Sequence, residues 1–171
     1  MPFFSGSATL THRSKIPAKA TREQSIAMLH DHNFYLHCNP HMSKIETLTT
    51  AAPEPAVPDD LKSQVVKETA VYQVTDIFQA LPKGLWDSNV VSTYEFTNIA
   101  NGVFARIKSP LSVALDSLWE IKGEAGELEI VETCTITCPR LLVGFVKTEC
   151  EGNWPNIHGK MIKRLEREVK T

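Results

Sequence analysis

The chain has 171 residues, a formal net charge of -2, 42% hydrophobic residues and 22% charged residues. A chain of this length folded as one unit hides roughly 70% of its unfolded surface, so a core forms without metal or disulfide staples. The near-neutral charge, with no basic run, argues against nucleic acid as a partner, and no stretch reaches the ~18 apolar residues of a membrane span.

The N-terminus holds Phe3 and Phe4 but no charged start followed by an apolar block, so no secretory leader is expected. "SATLTHRSKIPA" (7–18) predicts a first strand, ended by Pro17. "ATREQSIAMLHDHN" (20–33) predicts a helix. Thr21 caps it, and Gln24 three residues on completes a capping box. Ile26, Leu29, His30 and Asn33 then share one face. "FYLHCN" (34–39), bracketed by Asn33 and Pro40, reads as a second short helix or turn, and "MSKIETLTT" (42–50) as a strand. Pro53, Pro55 and Pro58 make 51–62 a stiff, exposed loop. The segment before it is too short to fold alone, so it is expected to lie inside a single domain spanning 1–171.

The period then changes to two. "SQVVKETAVYQVTDIFQ" (63–79) predicts a long strand, "LPKGLW" (81–86) a turn and "SNVVSTYEFTNI" (88–99) the next strand. Asn101-Gly102 predicts a hairpin with positive φ. Strands over 103–109 and 111–123 follow, parted by Pro110, and "EAG" turns into a last strand over 127–137. About seven strands joined mostly by short turns predict a largely antiparallel sheet. From Pro139 onward Leu142, Val146, Ile157, Met161, Leu165 and Val169 keep a helical stripe, predicting one helix over 139–169. Gly152 and Pro155 are expected to bend or break it.

"LHDHNFYLHCNPHM" (29–42) holds four of the six histidines, His30, His32, His37 and His41. A zinc site needs three or four ligands at one point. On a helix His30 and His32 point about 200° apart, and Pro40 breaks the register between His37 and His41. Cys134 and Cys138 have roughly metal-like spacing, but strand alternation puts both on one face of a strand. No metal and no cofactor are expected. A helix end plus turn is, with His30 packed and His37 and His41 in solvent. His30 or His32 is left as the one histidine that reaches a cavity mouth as acid or base. The four cysteines, with Cys38 and Cys150 the other two, are too scattered for a disulfide scaffold and read as reduced thiols of a cytoplasmic protein.

The order strand, short helix pair, about six antiparallel strands and long C-terminal helix resembles the helix-grip fold of the START-like or Bet v 1-like superfamily, which includes polyketide cyclase-like proteins. The phrases "LHDHNFYLHCNP", "YQVTDIF", "IANGVFARIKSPLSV" and "HGKMIKRL" resemble an uncharacterised fungal branch of it, for which a link to secondary metabolism is expected. The resemblance implies an α+β architecture in which a curved sheet wraps the last helix and leaves a cavity between them. It implies binding of a small, mainly apolar molecule, lipid-like or polyketide/terpenoid-like. The alternative is a cofactor-free cyclase or isomerase of a secondary-metabolite intermediate. Whether the protein is an enzyme, and its oligomeric state, stay open.

Strand alternation supplies candidates for such a cavity. Tyr72 and Asp76 share a face with Val74 and Phe78, Tyr94 with Phe96, Trp119 with Leu115 and Ile121, and Glu132 with Ile130 and Cys134. A tyrosine in a pocket wall buries its ring and presents its hydroxyl. A carboxylate on an apolar face is costly unless paired, and Arg106, Lys108 or a tyrosine are available partners. Unpaired, its pKa rises and it serves as a base. On the last helix Trp154 and His158 are i,i+4 and share a face with Met161 and Ile162. The helix-grip resemblance turns that face to the sheet. The expected proton-transfer set is His32, Asp76 and His158, with Tyr72. The expected ligand contacts are Tyr72, Tyr94, Trp119, Glu132, Trp154 and Met161.

Overall fold

The structure is a computed structural model that describes residues 4–49, 57–78 and 89–171. Pro53, Pro55 and the turn expected at 81–86 lie outside the described residues. The elements in chain order are β1 (Ser5–Lys15), α1 (Arg22–His30), α2 (His32–Cys38), β2 (Met42–Leu48), β3 (Ala70–Ile77), β4 (Asn89–Ile99), β5 (Gly102–Ser109), β6 (Val113–Lys122), β7 (Glu129–Pro139) and α3 (Arg140–Glu168). All seven strands form one antiparallel sheet in the order β1-β7-β6-β5-β4-β3-β2. The period-two pattern decides which side of each strand is covered. In β4, Tyr94, Phe96 and Asn98 turn toward the helices, and Thr97 and Ile99 away.

The main core lies between the sheet and the helices. Met28 and Leu29 of α1, Tyr35 and Leu36 of α2, and Met161 and Leu165 of α3 meet Val74, Phe96, Val103, Trp119, Ile121 and Ile130. A second cluster joins Leu10, Ile136 and Cys138 to Leu142 and Val146, pinning the first turns of α3 to β1 and β7. Gly6 makes that approach close, since a Cβ there would sit 2.7 Å from Val143 Cγ2. The opposite face of the sheet carries a smaller cluster of Leu61, Ile99 and Phe104 with Val57 and Leu118. Among the described residues no helix is long and apolar enough to cross a membrane.

Four local expectations change. The helix expected over 20–33 is two helices, because Asp31 ends α1 and caps α2, its carboxylate accepting from Phe34 N at 3.0 Å. The same carboxylate pairs with Arg164 on α3 at 2.7 Å. The strand expected from residue 63 begins only at Ala70. Lys62–Gln64 is a 3-10 turn, and Val65 makes an isolated bridge to Ile99. The β4–β5 hairpin does not use positive φ. Among the described residues positive φ falls at Leu111, Ser112, Gly123 and Gly126. Gly102 answers a different demand, since a Cβ there would collide with the Trp119 carbonyl oxygen of β6. Finally, α3 runs unbroken through Gly152 and Pro155. Both residues are exposed, so the carbonyl that Pro155 leaves without a donor faces water rather than the core.

Candidate functional site

A cavity of about 190 Å³ lies between the sheet and the first half of α3. Its floor is Tyr94, Ile107, Leu115, Ser117, Trp119 and Cys134, and its roof is Val146, Glu149, Cys150, Asn153, Trp154 and Ile157. Tyr35, Leu36, Asn39 and His41 close one side. Side-chain size explains its place. Toward this end the inward strand positions are Val90, Ser92, Ser109, Val113 and Ser117. The other end is filled by Phe96, Ile121, Met28, Met161 and Leu165. Ser92 and Ser109 satisfy each other across β4 and β5 at 2.7 Å, leaving their volume open.

Besides Glu149 in the roof, two carboxyl groups stand in the wall on the strands, Asp76 on β3 and Glu132 on β7. Asp76, 5% exposed, is held by neutral groups. Asn39 Nδ2 donates at 3.0 Å and Tyr94 OH at 3.4 Å. Burial pushes its carboxyl up to about 6, against smaller opposing effects of His41, Tyr94 and Asn39. Burial, and then Asp76 itself, raise the Tyr94 phenol well above its usual range. His41 stacks on Phe78 with ring centres 4.4 Å apart, and its Nε2 is 4.0 Å from Glu149.

Glu132 is held by imidazoles. The register places His12 of β1 opposite Glu132 of β7, and Glu132 opposite Trp119 of β6, so the three form one row across the sheet. His12 Nδ1 is 2.9 Å and His158 Nε2 3.6 Å from Glu132 Oε2. His12 Nε2 reaches Glu151 at 3.3 Å, and His158 Nδ1 bonds Ser14 Oγ at 2.7 Å. His12 stacks nearly parallel on Trp154, with centres 4.7 Å apart. Burial opposes ionisation of Glu132, but the two imidazoles outweigh it and hold the carboxyl below its ordinary value. Burial also opposes charging of His12, yet Glu132 and Glu151 together raise its pKa. The Cys134 and Cys150 thiols, also in the wall, hydrogen-bond to each other, which lowers the first and raises the second.

The residues singled out from sequence therefore divide. Asp76, Tyr94, Trp119, Glu132 and Trp154 line the cavity. His32 and Tyr72 meet each other elsewhere, on the filled end. His32 Nδ1 is 3.1 Å from Tyr72 OH and its Nε2 2.7 Å from Asn98 Oδ1, with the ring stacked on Phe96. Burial lowers the His32 pKa, so the ring is neutral there. Met161 is fully buried in the core, and His158 lies behind Glu132. His41, expected in solvent, is half-buried in the wall, and His30 Nε2 bonds the carbonyls of Ile99 and Gly102 at the far end. Arg106 pairs with Asp116 and Lys108 with Glu95, rather than with Asp76 or Glu132. Sequence reading missed His12, although it shares a strand face with Leu10 just as Glu132 shares one with Ile130.

A seven-stranded antiparallel sheet covered by a long C-terminal helix, with two short helices after the first strand, is the helix-grip fold. Solved structures share it. The di-domain ARO/CYC StfQ from the steffimycin biosynthetic pathway superposes with a TM-score of 0.67 at 8% identity, covering 96% of this chain and 53% of StfQ. Thalictrum norcoclaurine synthase gives 0.62 at 11% identity, covering 96% and 97%. Ara h 8.0201 gives 0.55 at 14% identity, covering 92% and 99%. Within this fold the chain belongs to the family described as "Domain of unknown function (DUF7053)", whose model matches residues 5–167. No curated protein matches the sequence.

Proposed function

We propose that the protein binds a small, mainly apolar molecule in the cavity between the sheet and α3. The observation that carries this reading is a space of about 190 Å³ between the sheet and α3, walled largely by apolar and aromatic side chains. An apolar cavity of ~150 Å³ stays dry and takes up benzene. The space therefore suits one ring with a short substituent better than a four-ring sterol or a long acyl chain. A ligand of that size is expected to bind at roughly micromolar Kd. Titration with a fluorescent aromatic probe, alongside native mass spectrometry of protein from its own source, tests this. Ile107→Trp, which fills the floor, is expected to weaken probe binding at least tenfold without unfolding the protein. Failure of every apolar probe to bind, with no molecule co-purifying, overturns the reading.

One observation favours a second reading, a cofactor-free cyclase or isomerase. Asp76 sits in the wall at about 6 with Tyr94 hydrogen-bonded to it. A carboxyl near the operating pH takes up and returns a proton efficiently. The shared fold with an ARO/CYC protein makes a ring-forming step on a polyketide-type or terpenoid-type intermediate of secondary metabolism the reaction to test. Asp76 and Tyr94 carry the proton transfer in this reading. Asp76→Asn then abolishes turnover of the substrate while leaving its binding intact.

A further inference from the structure

The charges in the cavity wall are unbalanced. Among the described residues it holds three carboxyl groups, Asp76, Glu132 and Glu149, and two imidazoles, His12 and His41, but neither lysine nor arginine. His12 is committed to Glu132 at 2.9 Å, and His41 lies 4.0 Å from Glu149. Among the described residues Asp76 is hydrogen-bonded only by the neutral donors Asn39 and Tyr94, and the His41 imidazole acts on it through space without a hydrogen bond. An ionised carboxylate buried on neutral donors is held at a cost that a cation beside it removes. Aromatic rings of Tyr35, Tyr94, Phe78 and Trp154 line the same space, and such ring faces attract an ammonium group as well as an aryl ring.

We propose that the natural ligand is a small aryl-alkyl amine, bound as its ammonium ion with the charge on Asp76 and the ring among the cavity's aromatic side chains. This rests on the cavity-binding reading and narrows it. A fatty or aryl carboxylate would bring a further negative charge to a wall with three carboxyl groups and no free cation among its described residues. An amine brings Asp76 a permanent counter-charge in direct contact, which the imidazole of His41, shared with Glu149, does not supply, and a one-ring amine with a short linker suits the volume.

Calorimetric titration at pH 7.5 with three near-isosteric probes tests the class: phenethylamine, 2-phenylethanol and 3-phenylpropionate. The amine is expected to bind at least tenfold tighter than the alcohol, and the carboxylate weakest of the three. In Asp76→Asn, checked for folding by circular dichroism and thermal melting, the amine preference falls to within twofold of the alcohol while alcohol binding persists. Tyr94→Phe, which keeps the carboxyl group, retains the preference. An alcohol as tight as the amine, a carboxylate tighter than either, or an amine preference that survives Asp76→Asn overturns the amine class and leaves the cavity reading standing. So does binding of a larger apolar probe when none of the three binds. If no probe of any kind binds, both readings fail together.

Discussion

Asp76 and Glu132 are the same kind of group in the same cavity wall, and their surroundings drive them in opposite directions. Asp76 has an amide and a phenol for partners, so burial wins and the carboxyl rises to about 6. Glu132 has two imidazoles, so their protons win and the carboxyl falls. What separates them is the partner, since both are buried. Glu132 is part of a bracket that ties β7 to β1 and to α3, through His12, His158 and Ser14. Asp76 has no such tie to α3 among the described residues and is left facing the cavity.

The largest effect should come from breaking the bracket. Glu132→Ala leaves two buried imidazoles without their acceptor. Removing one partner of a buried pair costs about 3–5 kcal/mol, so urea unfolding at pH 6 should show a loss of that order. Asp76→Asn removes a burial penalty instead and is expected to be neutral or stabilising at pH 7.5. Equal destabilisation by the two substitutions would erase the contrast.

The pH dependence sharpens it. Asp76 has a folded pKa above its unfolded value of 3.8. The folded state therefore holds more protons between those values, and stability falls as pH rises from about 4 to about 6. A shift of this size is worth up to about 3 kcal/mol, and the dependence should vanish in Asp76→Asn. Glu132 runs the other way. Its folded pKa is depressed below 4.5, so its contribution is present above that value and is lost as pH falls through the folded pKa. His12 is raised above 6.5, so its contribution is present below 6.5 and is lost as pH rises through its folded pKa. The bracket is thus strongest between about pH 5 and 6.5. Melting temperatures of wild type, Asp76→Asn and His12→Ala from pH 4 to 8 separate the two carboxyl groups.

How much of this was legible in the chain follows from what alternation can say. Period two assigned Asp76, Tyr94, Trp119 and Glu132 to the helix-covered face, and the apolar stripe after Pro139 gave α3. Alternation names a face but not a position along it. Tyr72 and Asp76 share a face of β3, yet Tyr72 lies opposite Tyr94 toward the filled end and Asp76 opposite Val90 at the open end. His32 went with Tyr72 for the same reason. Cross-strand register decided the rest. His12 becomes visible only once β1 is known to lie beside β7 with His12 opposite Glu132, a pairing of residues 120 positions apart.

The smallest effect isolates the hydroxyl that Asp76 shares with Tyr94. That contact is long, at 3.4 Å, so its net worth lies toward the low end of the ~0.5–1.5 kcal/mol of an ordinary hydrogen bond. It favours the ionised carboxylate, because the phenol O–H donates to a carboxylate oxygen, and burial and Asp76 keep that phenol protonated. Tyr94→Phe should therefore move the Asp76 carboxyl upward from about 6 by a fraction of a unit. A carbon-detected NMR titration of the side-chain carboxyl resonance reads this directly. His12→Ala gives the matching measurement on the other wall, where the Glu132 resonance should shift upward by more, since a charged donor at 2.9 Å is lost. A larger shift at Asp76 than at Glu132 would mean that the phenol, and not burial, governs the open side of the cavity.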